Sequence, residues 1–159
     1  NRPKTNVTVE PATVAKLAEI DNIVGVKDST GDMTNTEEYL RLTRGMDNFH
    51  VMMGRDTLIY AALCYGASGA IASCANVAPR IAADIYDKFM EGDREGALQA
   101  QFKFSTLRIA TNMGTFPVVL KEALKMIGHD CGNCVKPIQP LDDAQREKLH
   151  GVLVGMGLL

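Results

Sequence analysis

Long apolar runs are absent from this sequence: no stretch approaches the ~18 residues that would span a bilayer. An excess of either sign of charge is also lacking, the net value being −2 at pH 7. There is no basic run and no interleaving of basic with aromatic residues, so nothing points to a nucleic-acid partner. No signal peptide is visible. Only four cysteines occur: Cys64, Cys74, Cys131 and Cys134. Two lie in apolar segments, which suits reduced, buried thiols and a cytoplasmic setting. What remains is ordinary globular composition, 46% hydrophobic and 23% charged over 159 residues, enough for one domain with a real core. The chain starts at Asn1 without methionine, and it reads as a piece of a longer protein.

The first half alternates short apolar runs with amphipathic ones. Pro11 suits a first helical turn, and Val14, Leu17 and Ala18 share a face, so a helix is expected over 11–20. IVGVK (23–27) is a short β-branched run and a candidate buried strand. A polar loop follows over 28–32. Thr34 and Glu37 form a capping-box pattern that opens a helix through Thr43. A second strand is expected over 49–53. Asp56 is a candidate cap for a helix over 57–65, which Gly66 stops. GAIAS (69–73) is the third strand. After Pro79, Ile81, Ile85 and Phe89 recur every four residues, as on one helix face. Three strand–loop–helix units in series imply right-handed crossovers and a parallel sheet covered on both faces.

The second half contains no strand pattern. A long helix over 93–113 would carry Leu98, Phe102, Ser105 and Ile109 on one face. A second helix over 117–127 would turn Leu120, Ala123, Leu124 and Ile127 inward. A third spans 142–154. The expected division is an α/β part over 1–91 and a helical extension over 92–159. Three strands cannot close a (β/α)₈ barrel. Either the sheet is open or further strands lie upstream, and the start at Asn1 favours the second.

Lys27 ends an apolar strand. Alternation places it on one face with Ile23 and Gly25, and Val24 and Val26 on the other. Desolvating an ammonium is costly, and burial makes the free amine available near neutral pH. A free amine in a pocket is the nucleophile that forms a Schiff base with a carbonyl. The alternative is a strand-end lysine that snorkels to solvent.

Five segments in order weigh on that choice. IVGVKDSTGD (23–32) resembles the Schiff-base strand of the dihydrodipicolinate synthase and N-acetylneuraminate lyase family. VMMGRD (51–56) is similar to that family's strand ending in Gly-x-Asp. GAIASCANVAP (69–79) looks like its Gly-x-Ile strand followed by Asn-Val-Ala-Pro. FPVVLKEAL (116–124) resembles the Pro-x-x-x-Lys helix of its C-terminal bundle. The closing VKPIQPLDD and GLL match its usual ending. The resemblance implies the last three βα units of a (β/α)₈ TIM barrel followed by a three-helix extension, with the N-terminal barrel half outside this chain. It implies Lys27 as the Schiff-base lysine. It places Ser29, Gly54, Asp56, Ser73 and the backbone carbonyl of Ile71 at a substrate site for a keto acid and an aldehyde. It implies no metal and no organic cofactor, and a homotetramer.

Asn1-Arg2-Pro3 looks like the family's Tyr-Asn-x-Pro segment. The Tyr, a proton relay, would then precede Asn1, and the chain alone is expected to be inactive. Two departures bear on the substrate. Sialic-acid enzymes carry an acidic residue where Thr57 stands. Strict dihydrodipicolinate synthases carry Ser-Arg-Thr where this chain has Lys4-Thr5, and lysine cannot form arginine's bidentate fork. Two activities stay open: a 4-hydroxy-tetrahydrodipicolinate synthase, favoured by ANVAP, and a 2-keto-3-deoxy sugar-acid aldolase or dehydratase, favoured by KDS and Ser73. A non-catalytic subunit that pairs with a separate N-terminal half is the alternative of another class.

Other features read as structural. Cys131-x-x-Cys134 with His129 nearby is too few ligands for a zinc site and is expected to be an interhelical loop. Lys121 is expected on a solvated or packing face, His50 in a structural role. The glycines at 66 and 69 lack a phosphate-loop pattern.

Overall fold

A computed structural model describes residues 2–159. Asn1 and the side chains of Arg2 and Pro3, on which the Tyr-Asn-x-Pro likeness rests, lie outside the described residues. Three short strands form a parallel sheet in the order β1 (Gly25–Asp28), β2 (His50–Met53), β3 (Gly69–Ala70). Lys27 pairs with Met52 and Asp28 with Met53 in the register, and Met53 pairs with Ala70.

The helices are α1 (Arg2–Thr5), α2 (Pro11–Leu17), α3 (Met33–Leu42), α4 (Ile59–Cys64), α5 (Pro79–Glu91), α6 (Arg94–Ala110), α7 (Val118–Met126) and α8 (Asp143–Gly155). One apolar core runs from the sheet through the helical half, joining Met53, Ile59, Ile85, Phe104, Leu107, Leu149 and Leu153. A smaller one holds Val14, Tyr39, Phe49 and Val51 beneath α2 and α3.

The α/β succession and the three helices that follow match the sequence expectation, with corrections at the ends. The first strand starts at Gly25, not Ile23, and includes Asp28. The third covers only Gly69–Ala70, because Ser73 already opens a 3₁₀ turn, Ser73–Asn76. The cap of α3 is Asp32, whose carboxylate accepts from the Thr34 N–H at 3.0 Å, so the Thr34/Glu37 box is not used. Asp56 caps no helix: it lies inside a 3₁₀ turn, Asp56–Leu58, and its carboxylate is spent elsewhere. The chain opens on the short helix α1.

Two burial expectations also fail. On α6 the buried residues are Ala97, Gln101, Phe104, Leu107 and Ala110, while Phe102 and Ile109 are 57% and 64% exposed. Phe104 and Leu107 join the core that holds Ile81 and Ile85 of α5, a choice the apolar count alone could not make. The sheet is not covered on both faces either: Gly25 and Lys27 are exposed, whereas Val26 is half-buried and Asp28 is buried.

Asp28 anchors the loop after β1. Its carboxylate accepts from the Thr30 N–H at 2.8 Å, the Thr36 hydroxyl at 2.7 Å and the Asn35 amide at 3.1 Å. Burial alone would raise its pKa, but these donors outweigh it and hold the carboxyl below its ordinary value. A depressed folded pKa stabilises the fold above the unfolded pKa, and that stability is lost as pH falls through the folded value. Asp28→Ala is therefore expected to cost about 1–3 kcal/mol at neutral pH. It should also flatten the decline of melting temperature below about pH 4, as thermal unfolding across pH 2–7 would show.

Candidate active site

A cleft of about 440 Å³ opens at the C-terminal ends of β1 and β2, lined among others by Lys27, Ser29, Gly54, Asp56 and Ser73. Residues from three separate segments, 27–29, 54–56 and 73, thus line one cleft. Ile71 is not among the lining residues and its side chain is half exposed. Its N–H donates to the Met53 carbonyl at 2.9 Å, extending the β2–β3 pairing by one bond.

Lys27 follows directly from strand geometry. It shares the open sheet face with Gly25, two residues back. Its exposure removes the burial premise of the sequence argument within this chain. Gly54 makes room for it. A Cβ on Gly54 would stand 2.8 Å from Lys27 Cε and 2.8 Å from the Asp28 carbonyl oxygen, and would strike the Ser29 hydroxyl. The Gly54 N–H also donates to that Asp28 oxygen, at 2.6 Å, so backbone and side chain converge here.

Asp56 is buried, 2% exposed. One carboxylate oxygen accepts from the Cys74 N–H at 2.7 Å, and the Ser73 hydroxyl lies 3.4 Å from both oxygens. Its backbone carbonyl accepts from the Gln101 amide at 2.9 Å, while the other end of that amide receives the Tyr60 N–H at 2.9 Å. Asp56 therefore ties the β2 end, the turn after β3 and α6 together. Burial with Asp56 alongside pushes the Cys74 thiol up well beyond the ordinary cysteine range, so it stays a neutral core group.

The helical half closes the cleft, which sequence reasoning did not foresee. Arg108, Thr111, Asn112, Gly114 and Phe116 all line it, with Lys4 and Arg55. Arg108 lies 3.7 Å from Asp56 and donates to the Thr111 hydroxyl at 2.6 Å. Lys4 sits 5.8 Å from the centre of the Phe116 ring, a cation–π distance. A signal did exist: Gln101, Ser105 and Arg108 recur at helical spacing of four and three, a polar stripe on an otherwise packed helix. The lining carries four cationic side chains, Lys4, Lys27, Arg55 and Arg108, and one carboxylate, Asp56. Such a balance favours anionic small molecules.

This set of segments is shared. Residues 1–155 match the model of the dihydrodipicolinate synthetase family. The chain belongs to that family. It is 35% identical over 157 residues to a 4-hydroxy-tetrahydrodipicolinate synthase of Methanothrix thermoacetophila, covering 98% of this chain and 53% of that protein. A DapA-like lyase of Halobacterium salinarum, itself uncharacterized, is 34% identical over 160 residues, covering 98% of this chain and 50% of that protein. Among solved structures, dihydrodipicolinate synthase from Thermotoga maritima superposes with a TM-score of 0.93 at 29% identity, over all of this chain and 55% of that one. A pyruvate complex of the Acinetobacter baumannii synthase gives 0.91 at 28% identity, over all of this chain and 54% of that one. The chain spans about half the length of the curated relatives it matches.

The remaining expectations fall on the surface. Lys121 donates to the carbonyls of Cys131 and Asn133 at 3.2 and 3.0 Å, pinning the loop between α7 and α8. Cys131 and Cys134 are free thiols in that loop. Among the described residues, no group of three or more His, Cys, Asp or Glu is placed to hold a metal. His50 Nδ1 lies 3.1 Å from the Ser68 hydroxyl at the N-terminal end of β2, away from the cleft. No described helix is long and apolar enough to cross a membrane.

Proposed function

We propose that this chain carries the covalent half of a Schiff-base lyase acting on pyruvate or another 2-keto acid. The supporting observation is a strand-end amine, Lys27, packed over Gly54 in a cleft whose charged side chains are four cations and one carboxylate. Lys27 Nζ attacks the keto carbon, water leaves, and the iminium acidifies the adjacent C–H, whose proton passes to the relay supplied by the N-terminal half to leave an enamine. The enamine carbon adds to an aldehyde, and hydrolysis frees the lysine. In the reverse direction the same iminium accepts the electron pair of a breaking C–C bond. Ser29, Asp56 and Ser73, which line the cleft, orient the partner at the strand ends, where barrels keep their chemistry. The preferred reaction is that of 4-hydroxy-tetrahydrodipicolinate synthase, supported by the 33–35% identity to such enzymes. Cleavage or dehydration of a 2-keto-3-deoxy sugar acid is the second reading, favoured by the hydroxyls of Ser29 and Ser73 in the lining.

The architecture proposed with this function is a (β/α)₈ barrel whose last three units lie in 1–91, with 92–159 as the helical extension. Both outer strands, β1 and β3, have an unpaired edge among the described residues, and five further strands would close the ring. These would come from an N-terminal barrel half, which also brings the proton relay; the complete barrels would associate as tetramers. The chain by itself is expected to give no turnover, and the barrel assembled with that half is expected to be active. Incubating the assembled barrel with pyruvate and borohydride, then mapping the adduct by mass spectrometry, tests the reading: it fails if Lys27 carries no adduct.

A further inference from the structure

We infer that Arg108, on the helical extension, is the specificity-determining residue that reads a carboxylate on the second substrate, an inference resting on the Schiff-base reading above. Four observations carry it. Arg108 lines the same cleft as Lys27, yet comes from α6, about eighty residues away and outside the α/β half. It is held in place from both sides: Nη1 donates to Thr111 Oγ1 at 2.6 Å and lies 3.4 Å from Asn112 Oδ1, while Nε faces Asp56 at 3.7 Å. The hold is incomplete. At 3.7 Å the Asp56 contact is an ion pair without a hydrogen bond, and one Asp56 oxygen is already taken by the Cys74 N–H. Among the described residues Nε and Nη2 have no hydrogen-bond acceptor. Nη2, together with Nε beyond its weak ion pair with Asp56, keeps donor capacity for a carboxylate.

Arg55 is the other guanidinium of the lining. Among the described residues its guanidinium has no hydrogen-bond partner, and its side chain lies over Gly31, with Nε 3.7 Å from where a Cβ would stand. A substrate would have to order Arg55, whereas Arg108 is ordered beforehand, and that saves the entropy of fixing a long side chain. Position also separates two anions. The keto acid's own carboxylate is on the carbon bonded to the imine carbon, so it stays beside Lys27. In the lining Lys27 meets Gly54, whereas Arg108 meets Asp56, which in turn meets Ser73, and among the described residues no hydrogen bond or ion pair joins Arg108 to Lys27. Arg108 is therefore placed for a carboxylate further along the condensed chain.

Extended 2-keto acids test this without requiring turnover, since they form the same adduct and extend into the second substrate's place. Borohydride trapping on Lys27 of the assembled barrel is measured against concentration for pyruvate, 2-oxohexanoate and 2-oxoadipate. The last two have equal length and differ in one terminal carboxylate. The unsubstituted protein should half-saturate at lower 2-oxoadipate than 2-oxohexanoate. Arg108→Met should raise the 2-oxoadipate value about 10- to 100-fold, leaving pyruvate and 2-oxohexanoate unchanged; Arg108→Lys should recover part of it. Equal loss for all three ligands would mean Arg108 only supports Asp56, and would overturn the proposal. So would no diacid preference, no change in Arg108→Met, or the whole effect appearing in Arg55→Met instead. No adduct with any ligand in the unsubstituted protein marks failure of the Schiff-base reading itself, and this inference falls with it.

Discussion

Lys27→Met is expected to remove the pyruvate adduct completely and to lower kcat/KM of the assembled barrel by at least ~10³-fold, about 4 kcal/mol of transition-state stabilisation. Methionine keeps much of the chain's reach but has no nucleophile. The same substitution should hardly alter stability, because Lys27 is exposed and its side chain makes no hydrogen bond or ion pair among the described residues. Surface changes of that kind stay within about 0.5 kcal/mol. The two readouts together separate a catalytic amine from a structural one. Intact melting with lost trapping supports the catalytic role. Retained turnover in Lys27→Met would remove the Schiff-base mechanism altogether.

The second large effect is expected at Gly54. In Gly54→Ala the new methyl carbon would stand 2.8 Å from both Lys27 Cε and the Asp28 carbonyl oxygen, well inside ordinary contact. Lys27 could swing aside, but the Asp28 carbonyl cannot retreat easily. It accepts the Gly54 N–H at 2.6 Å, and the Asp28 side chain is fixed by Thr30, Asn35 and Thr36. Overpacking of this kind costs about 1–3 kcal/mol. Displacing the amine by even ~1 Å can cost about 100-fold in rate. Thermal unfolding and the rate of adduct formation should therefore both fall. An adduct rate equal to that of the unsubstituted protein would show that Gly54 does not set the position of Lys27.

Much of the α/β half was legible because its signals are local. Strand runs such as IVGVK and helix punctuation such as Pro79 and Gly66, which follows α4 with a positive φ of 99°, depend on near neighbours. Asp142 and Gln145 form a true capping box at the start of α8, whereas Thr34 and Glu37 do not. Asp32, two residues earlier, took the cap because its carboxylate reaches the Thr34 N–H. The misreadings share a cause. Asp56 has a helix-cap sequence context, but a buried partner, the Cys74 N–H, competes for its oxygen. The face of α6 was misassigned because Phe102 and Ile109 are as apolar as Phe104 and Leu107, and only packing against α5 and α8 chooses between them.

By itself the sequence determined the succession of three βα units and three helices, the position of Lys27 at a strand end, and the glycine and carboxylate that end the next strand. These follow from periodicity, turn chemistry and recognisable segments, all read over a few residues. Only the tertiary structure decided that Ser29, Gly54, Asp56 and Ser73 share one cleft with Lys27. It also decided that α6 supplies Arg108 to that cleft, that Asp56 is a buried tie between sheet and extension, and that Lys27 stands open to solvent in this chain. Those outcomes depend on contacts between residues tens of positions apart, and on which of several equally apolar faces the core buries. No local pattern encodes either.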